Sequence, residues 1–279
     1  MSPTSNLGEQ LRYMRSRFYS GRVRQAIRKT GLNRLLSKPY WQLVYALSEK
    51  TQTHEIANRS IDFRTDTFSE FMRFRDLAGE RSVVKDLLKN LDSDDIFYDI
   101  GANVGTYTCF AAAELGPGRT VAFEPEPENV DALQKNLEIN GLGAEIVQVA
   151  LSNTNGTVDL ALTGNEAGEG EHSIVTDDNG QTIEVETIRG DLVIKKRGLP
   201  KPTVIKIDVE GAELEVLRGL SSTIQESCRY IYCEIHDDKL DGFDQTRSDV
   251  ESLLTDLGFQ IRRIDERGDE YFLLGEKSV

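Results

Sequence analysis

Hydrophobic positions along this chain follow two periods, and the change between them falls near residue 96. Before that point the spacing is helical. Leu7, Leu11, Met14 and Phe18 recur on one face, with Arg12, Arg15, Arg17, Arg22, Arg24 and Arg28 around them, which predicts a basic amphipathic helix. A second helical stretch is expected after Pro39, through Trp41 to about Asn58, and a third from Ser69 to Leu91. From Ile96 onward short β-rich runs alternate with helical ones. Strands are expected at 96–100, 120–124, 145–151, 203–208 and 230–235, and helices at 105–115, 128–140, 213–225 and 245–257. That alternation is the mark of a doubly wound α/β sheet. The tail "FQIRRIDERGDEYFLLGE" carries two alternating runs with Gly268 between them, a terminal antiparallel hairpin. Residues 157–187 interrupt the pattern: "TVDLAL" and "TIEVETI" read as an extra strand pair flanking the loop "TGNEAGEGEHSIVTDDNG".

Composition narrows the picture. A chain of 279 residues with 38% hydrophobic content supports one main domain, here residues 71–279, preceded by a basic helical extension, 1–70. The net charge of -14 is unevenly spread. Residues 1 to 50 hold ten Lys/Arg and two acids, and the remainder holds 23 basic and 45 acidic residues. So acidic a body repels phosphates, which excludes nucleic acid as the expected substrate. It also suits a high-salt cytoplasm, where carboxylates keep a protein hydrated. The basic helix either packs on this body or on a second subunit, or docks on an acidic partner or peripherally at the inner face of an anionic membrane, and packing is favoured. No uninterrupted apolar stretch approaches the ~18–20 residues that span a bilayer, and the start does not resemble a signal peptide, so a cytoplasmic location is expected. Cys109, Cys228 and Cys233 lie far apart inside apolar runs, with neither disulfide nor zinc spacing.

Candidate chemistry begins at "IFYDIGANVGTYT", residues 96–108, where an apolar run ends in Asp99 and opens into Gly101 and Gly105. Glycines between a parallel strand and a helix allow a sharp turn and the close approach of a ligand. The spacing is not that of a dinucleotide fingerprint, because Asn103 stands at the second glycine position, so an NAD-dependent oxidoreductase acting on sugars is disfavoured. No P-loop is present. The next strand ends at Glu124, 23 residues after Gly101, near the ~20-residue offset at which an acid reaches ribose hydroxyls. A nucleoside without a pyrophosphate satisfies both features. S-adenosylmethionine fits: Asp99 or the loop backbone of Gly101, Asn103 and Gly105 would face its amino-acid part, Glu124 its ribose, and Ala150, Leu151 and Ser152 its adenine.

The segments "DIGANVGTYT", "FEPEPENVDALQKNLEING", "VALSNTNG", "IKIDVEGAELEVLRG" and "IYCEIH", in this order, resemble the FkbM family of S-adenosylmethionine-dependent methyltransferases. The resemblance covers about residues 80–236, and "KIDVEGAE" is its most specific piece. It implies a class I methyltransferase sheet, Rossmann-like and mostly parallel with seven strands, and methyl transfer to an oxygen of a sugar, glycan or other small molecule. One departure is "ETIRGDL" at 186–192, where the family tends to show a Thr-Leu-Asp-Asp-like stretch.

Methyl transfer from a sulfonium needs an aligned acceptor oxygen and a group that takes its proton. Ligands of open α/β sheets sit at the carboxyl ends of the strands. Asp208 ends the fourth predicted strand, and the family resemblance places it beside both donor and acceptor; the alternative is an N-cap for the helix beginning near Ala212. Glu234 and His236 alternate on the fifth strand and share a face, and His236 suits a base near neutral pH. His172 lies in the insertion, and His54 is given no role. Asp208, Glu234 and His236 together could hold a divalent cation, but three separate strand ends do not by themselves call for one, and no metal is expected. A binding scaffold that keeps the nucleoside pocket without catalysis is the rival from another class.

Overall fold

The computed structural model describes residues 5–18, 32–162, 181–240, 245–267 and 270–277. Its first helices span Ser5–Phe18 and Leu32–Leu47, with Pro39 inside the second. The helix expected to run to Asn58 therefore stops eleven residues early. Ala57 and Asn58 take left-handed backbone (φ 49° and 67°), which makes the tight turn of a hairpin, β1 (Thr51–Ile56) and β2 (Arg59–Arg64). Ile56, Ile61 and Phe63 point inward, and Phe63 stacks on Phe74 at 4.2 Å. The basic arm packs on the body: Arg12 lies over the Phe71 ring at 4.9 Å, and Tyr40 donates to the Leu11 carbonyl. Leu7, Tyr13 and Met14 remain exposed.

The single helix expected over 69–91 is two helices, Phe68–Phe74 and Arg81–Asn90, because Leu77, Ala78 and Gly79 all have positive φ. The first is held at its start by a capping box in which Thr67 and Glu70 satisfy each other's backbone N–H groups. Beyond it the predicted alternation is present. Strands β3 (Phe97–Ile100), β4 (Thr120–Phe123) and β5 (Glu145–Val147) are separated by helices Thr106–Leu115 and Pro127–Ile139. The expected strand 145–151 divides after Val147: β6 (Ala150–Ser152) leaves the main sheet and joins β7 (Gly156–Leu162) and β8 (Gln181–Arg189) in a three-stranded sheet ordered β6-β8-β7. The loop between β7 and β8, with His172, lies outside the described residues, as does Gly268.

Then follow β9 (Val204–Ile207), β10 (Tyr230–His236), β11 (Gln260–Arg267) and β12 (Glu270–Glu276). The expected helix 213–225 is split into Glu213–Gly219 and Ser221–Ser227. Gly219 is needed there, since a β-carbon would lie 2.0 Å from the Ser152 carbonyl oxygen. The departing stretch at 186–192 ends β8 and starts the helix Gly190–Arg197, and Asp191 accepts from the Thr223 N–H and hydroxyl.

The seven-stranded sheet has the order β11-β12-β10-β9-β3-β4-β5, parallel from β10 to β5, with β12 antiparallel between β10 and β11. This is the mostly parallel seven-stranded sheet with a C-terminal antiparallel hairpin that the resemblance implies. The chain order reverses between β3 and β9, so the crevice at their carboxyl ends is the topological switch point. Successive residues alternate between two cores. Tyr98, Ile100, Ile205 and Ile207 face one, and Phe97, Val204 and Tyr232 face the other with Phe63 and Phe110. On this second face apolar residues give way to polar ones toward the strand ends: Phe97 to Asp99, Val204 to Lys206, and Tyr232 to Glu234 and His236.

Candidate active site

The loop after β3 is fixed by its own backbone. Gly101 (φ 73°) and Ala102 both donate to the Phe123 carbonyl, at 3.0 and 3.1 Å. A β-carbon on Gly101 would lie 1.8 Å from the Asp208 carbonyl oxygen, so only glycine lets the ends of β3 and β9 meet. Gly105 (φ 91°) precedes the helix Thr106–Leu115, where a β-carbon would strike Leu133 at 2.3 Å. Its role is packing, and it does not line the cavity described next.

A cavity of about 310 Å³ lies at the switch point. Its floor is Gly101, Asn103 and Glu124, its apolar wall includes Ile100, Phe123, Ala150 and Leu151, and its far rim is Asp208, Glu234 and His236. Every expected donor-site residue except Asp99, Gly105 and Ser152 reaches it. Asp99 is fully buried behind the wall, where it accepts from the Thr108 hydroxyl at 2.6 Å and faces Lys206, because the residue that points into the cavity from this strand end is its neighbour Ile100.

Glu124 is 5% exposed and is oriented by the chain around it. Oε2 accepts from the Asn103 N–H at 2.7 Å, and Oε1 from the Glu126 N–H at 3.0 Å. Burial raises its pKa, and these N–H groups oppose the rise. Oε1 also accepts from Asn129 Nδ2 at 3.4 Å, whereas Oε2, which accepts from the Asn103 N–H, keeps a second lone pair for a hydroxyl. Beside apolar walls of the kind that cover a flat base, this set fits a nucleoside. The residues present thus suit S-adenosylmethionine.

Lys206, 2% exposed, ties the strand ends together. Nζ donates to the Gly101 carbonyl at 2.7 Å and lies 3.3 Å from both Asp99 Oδ1 and Asp208 Oδ2. Burial alone would lower its pKa, but Asp208 and Asp99 raise it, and Asp208 in turn is held low by Lys206, His236 and Arg73 against the effect of burial. Asp208 is not an N-cap: Ala212 occupies that position, and no side chain caps the helix. Its second oxygen lies 3.7 Å from His236 Nε2.

His236 Nδ1 bonds to Oε1 of Glu213 at 2.7 Å, and Nε2 lies 3.3 Å from Glu210. Burial disfavours the charged ring, yet Glu213, Asp208 and Glu210 outweigh it and raise the pKa to about 10. Glu210 (φ 54°) is a non-glycine in left-handed backbone, a strain that recurs at functional sites. Burial, reinforced by Asp208, raises its pKa to about 7 against His236 and Lys239. Asp208, Glu234 and His236 each offer a ligand atom within 4.8 Å of the others, so the three residues selected from sequence converge.

Sequence reasoning missed Lys206, Glu213 and the contribution of the segment before β3. Arg73, Ala78 and Glu80 line the same cavity, with Arg73 Nη2 3.5 Å from Glu80 Oε1. A lysine inside the apolar run "VIKI" was a readable signal; Arg73 gave none. His54 sits away from the cavity, with Nε2 against the Phe74 carbonyl.

Residues 99–261 match the model of the methyltransferase FkbM domain. The chain is 32% identical over 226 residues to the hexuronic acid methyltransferase AglP of Haloferax volcanii, covering 80% of this chain and 87% of that one. It is 26% identical over 244 residues to the 31-O-demethyl-FK506 methyltransferase FkbM of Streptomyces tacrolimicus, covering 77% and 91%. A solved structure of methyltransferase FkbM from Methylobacillus flagellatus superposes with a TM-score of 0.48 at 17% identity, over 68% of this chain and 46% of that chain.

Proposed function

Because the chain belongs to the FkbM family of S-adenosylmethionine-dependent methyltransferases, we propose that it methylates an oxygen of a sugar, glycan or other small molecule at the rim formed by Asp208, Glu234 and His236. One observation carries the reading: a single cavity joins the Glu124 cradle to that rim across the switch point. The names of the relatives, a hexuronic acid methyltransferase among them, support a sugar or small-molecule acceptor.

When bound, S-adenosylmethionine supplies a methyl group on a sulfonium, a leaving group that needs no activation. The protein's work is positional. Glu124 holds the ribose pair, and the Gly101–Asn103 backbone and apolar wall hold the rest. Asp208, at the junction of loop and rim, aligns the acceptor oxygen, whose proton leaves to a carboxylate lining the cavity beside it. With the donor in place, that oxygen would take the methyl carbon as the carbon–sulfur bond breaks, the electron pair staying on sulfur. Arg73 and the left-handed turn Leu77–Gly79 wall the acceptor side. Exposed Leu7, Tyr13 and Met14 on the basic first helix support a peripheral contact with an anionic membrane face, and salt-sensitive sedimentation with anionic vesicles tests it.

Labelled methyl donor offered with a panel of uronic acids, neutral sugars and their lipid-linked forms tests the function. Transfer by the wild type, lost in Asp208→Asn while donor binding remains, is the expected result; a folded wild type that methylates nothing would overturn it.

A further inference from the structure

We propose that Asp208, Glu234 and His236 bind one divalent first-row transition metal ion beside the methyl donor. The three donor atoms lie within 4.8 Å of one another, and Asp208 Oδ1 and His236 Nε2 are 3.7 Å apart. An ion bonded at ~2.0–2.2 Å holds adjacent ligand atoms roughly 3–3.5 Å apart, so a small inward adjustment closes the set.

A different feature points the same way. His236 Nδ1 bonds at 2.7 Å to Glu213, which is fully buried and whose Oε1 also accepts the Gly211 N–H at 3.0 Å. A carboxylate on the far nitrogen of a histidine is the arrangement that orients metal-bound imidazoles: with an ion in place of the Nε2 proton, the ring would keep its Nδ1 proton toward Glu213. Here Nε2 faces Asp208 and Glu210. Asp208 is likewise pre-set, because Oδ2 is held by Lys206 and Oδ1 is left toward His236. Four carboxylates, Asp208, Glu210, Glu213 and Glu234, crowd a space whose described Lys and Arg side chains are Lys206, Lys239 and Arg73, and the imidazole is neutral when it binds an ion.

One imidazole with two carboxylates suits Mn²⁺, Fe²⁺ or Zn²⁺ better than Mg²⁺ or Ca²⁺, which favour all-oxygen sets. The chemical consequence rests on the methyl-transfer reading. The acceptor oxygen binds the ion, which lowers its pKa. Its proton passes to Glu210, 3.3 Å from His236 Nε2, and the oxygen then takes the methyl carbon as the carbon–sulfur bond breaks toward sulfur.

The test uses the full chain, stripped with a chelator and titrated with Mn²⁺ while the spectrum of the free aqueous ion is followed by electron paramagnetic resonance. S-adenosylhomocysteine binding is measured calorimetrically on the same samples. One ion per chain is expected. Binding falls at least about tenfold in Glu234→Gln and about 10- to 100-fold in Glu213→Gln, where only the outer carboxylate is changed, with S-adenosylhomocysteine binding kept in both. A free-ion signal undiminished by the wild type, or an affinity unchanged in both variants, overturns the proposal. Ion binding without heat from S-adenosylhomocysteine sinks the methyl-transfer reading and leaves the ion site standing.

Discussion

Asp99 and Lys206 face each other across the β3–β9 pair, with Oδ1 3.3 Å from Nζ and both side chains sealed from solvent. The lysine also reaches the Gly101 carbonyl and Asp208, so one buried charge holds the glycine loop against the end of β9. Lys206→Met leaves two carboxylates without their buried cation, and breaking a buried pair costs about 3–5 kcal/mol. Urea unfolding should show a loss of that size, and a variant as stable as the wild type would remove the tie.

Gly101→Ala should fail more severely than a left-handed alanine alone, a strain of ~1–3 kcal/mol. Its β-carbon would meet the backbone of Asp208 at 1.8 Å, and backbone cannot swing away. Thermal melts of Gly101→Ala beside Gly118→Ala, a left-handed glycine with open space around it, separate clash from strain. Equal losses in the two would contradict the reading.

Asp95 links the β3 and β9 starts to Arg229, accepting from its guanidinium and from the Thr203 hydroxyl. Burial pushes its pKa up, but Arg229 and Thr203 outweigh it and the net direction is down. A depressed carboxylate contributes stability above its unfolded pKa of ~3.9, and that contribution is lost as pH falls through the lower folded value. Asp95→Asn should therefore be less stable than the wild type at pH 6, with the gap narrowing below pH ~4. A gap independent of pH would show that the pair does not govern it.

Arg73 comes from a helix outside the matched domain yet lines the cavity. Losing a charge-assisted contact worth ~1.5–3 kcal/mol raises the acceptor KM about ten- to hundredfold in Arg73→Ala, with donor affinity unchanged. A change in donor affinity instead would move Arg73 to the other half of the cavity.

How much of this was legible depends on whether a signal was local. The Gly101-to-Glu124 offset reports a strand, a turn and the next strand end, all set by nearby sequence, and it located the cradle. Glu234 and His236 were legible from a period of two. Extending that period to Val204, Lys206 and Asp208, and to Phe97 and Asp99, places Asp99 on the face of Lys206 and away from Ile100, which is why Ile100 lines the cavity and Asp99 does not. β1 falls inside the helix expected to reach Asn58 because the strand mixes polar residues and the turn after it, Ala57-Asn58, has no glycine. Arg73 depends on how a distant helix docks, which no local pattern encodes.

In the proposed function, Glu124 and the Gly101 loop bind the methyl donor. Isothermal titration of S-adenosylhomocysteine into the wild type and Glu124→Gln tests it directly. One site per chain in the wild type, weakened about ten- to hundredfold by loss of the charged acceptor, is the predicted result. A folded wild type that releases no heat, or a variant that binds as tightly, would contradict it.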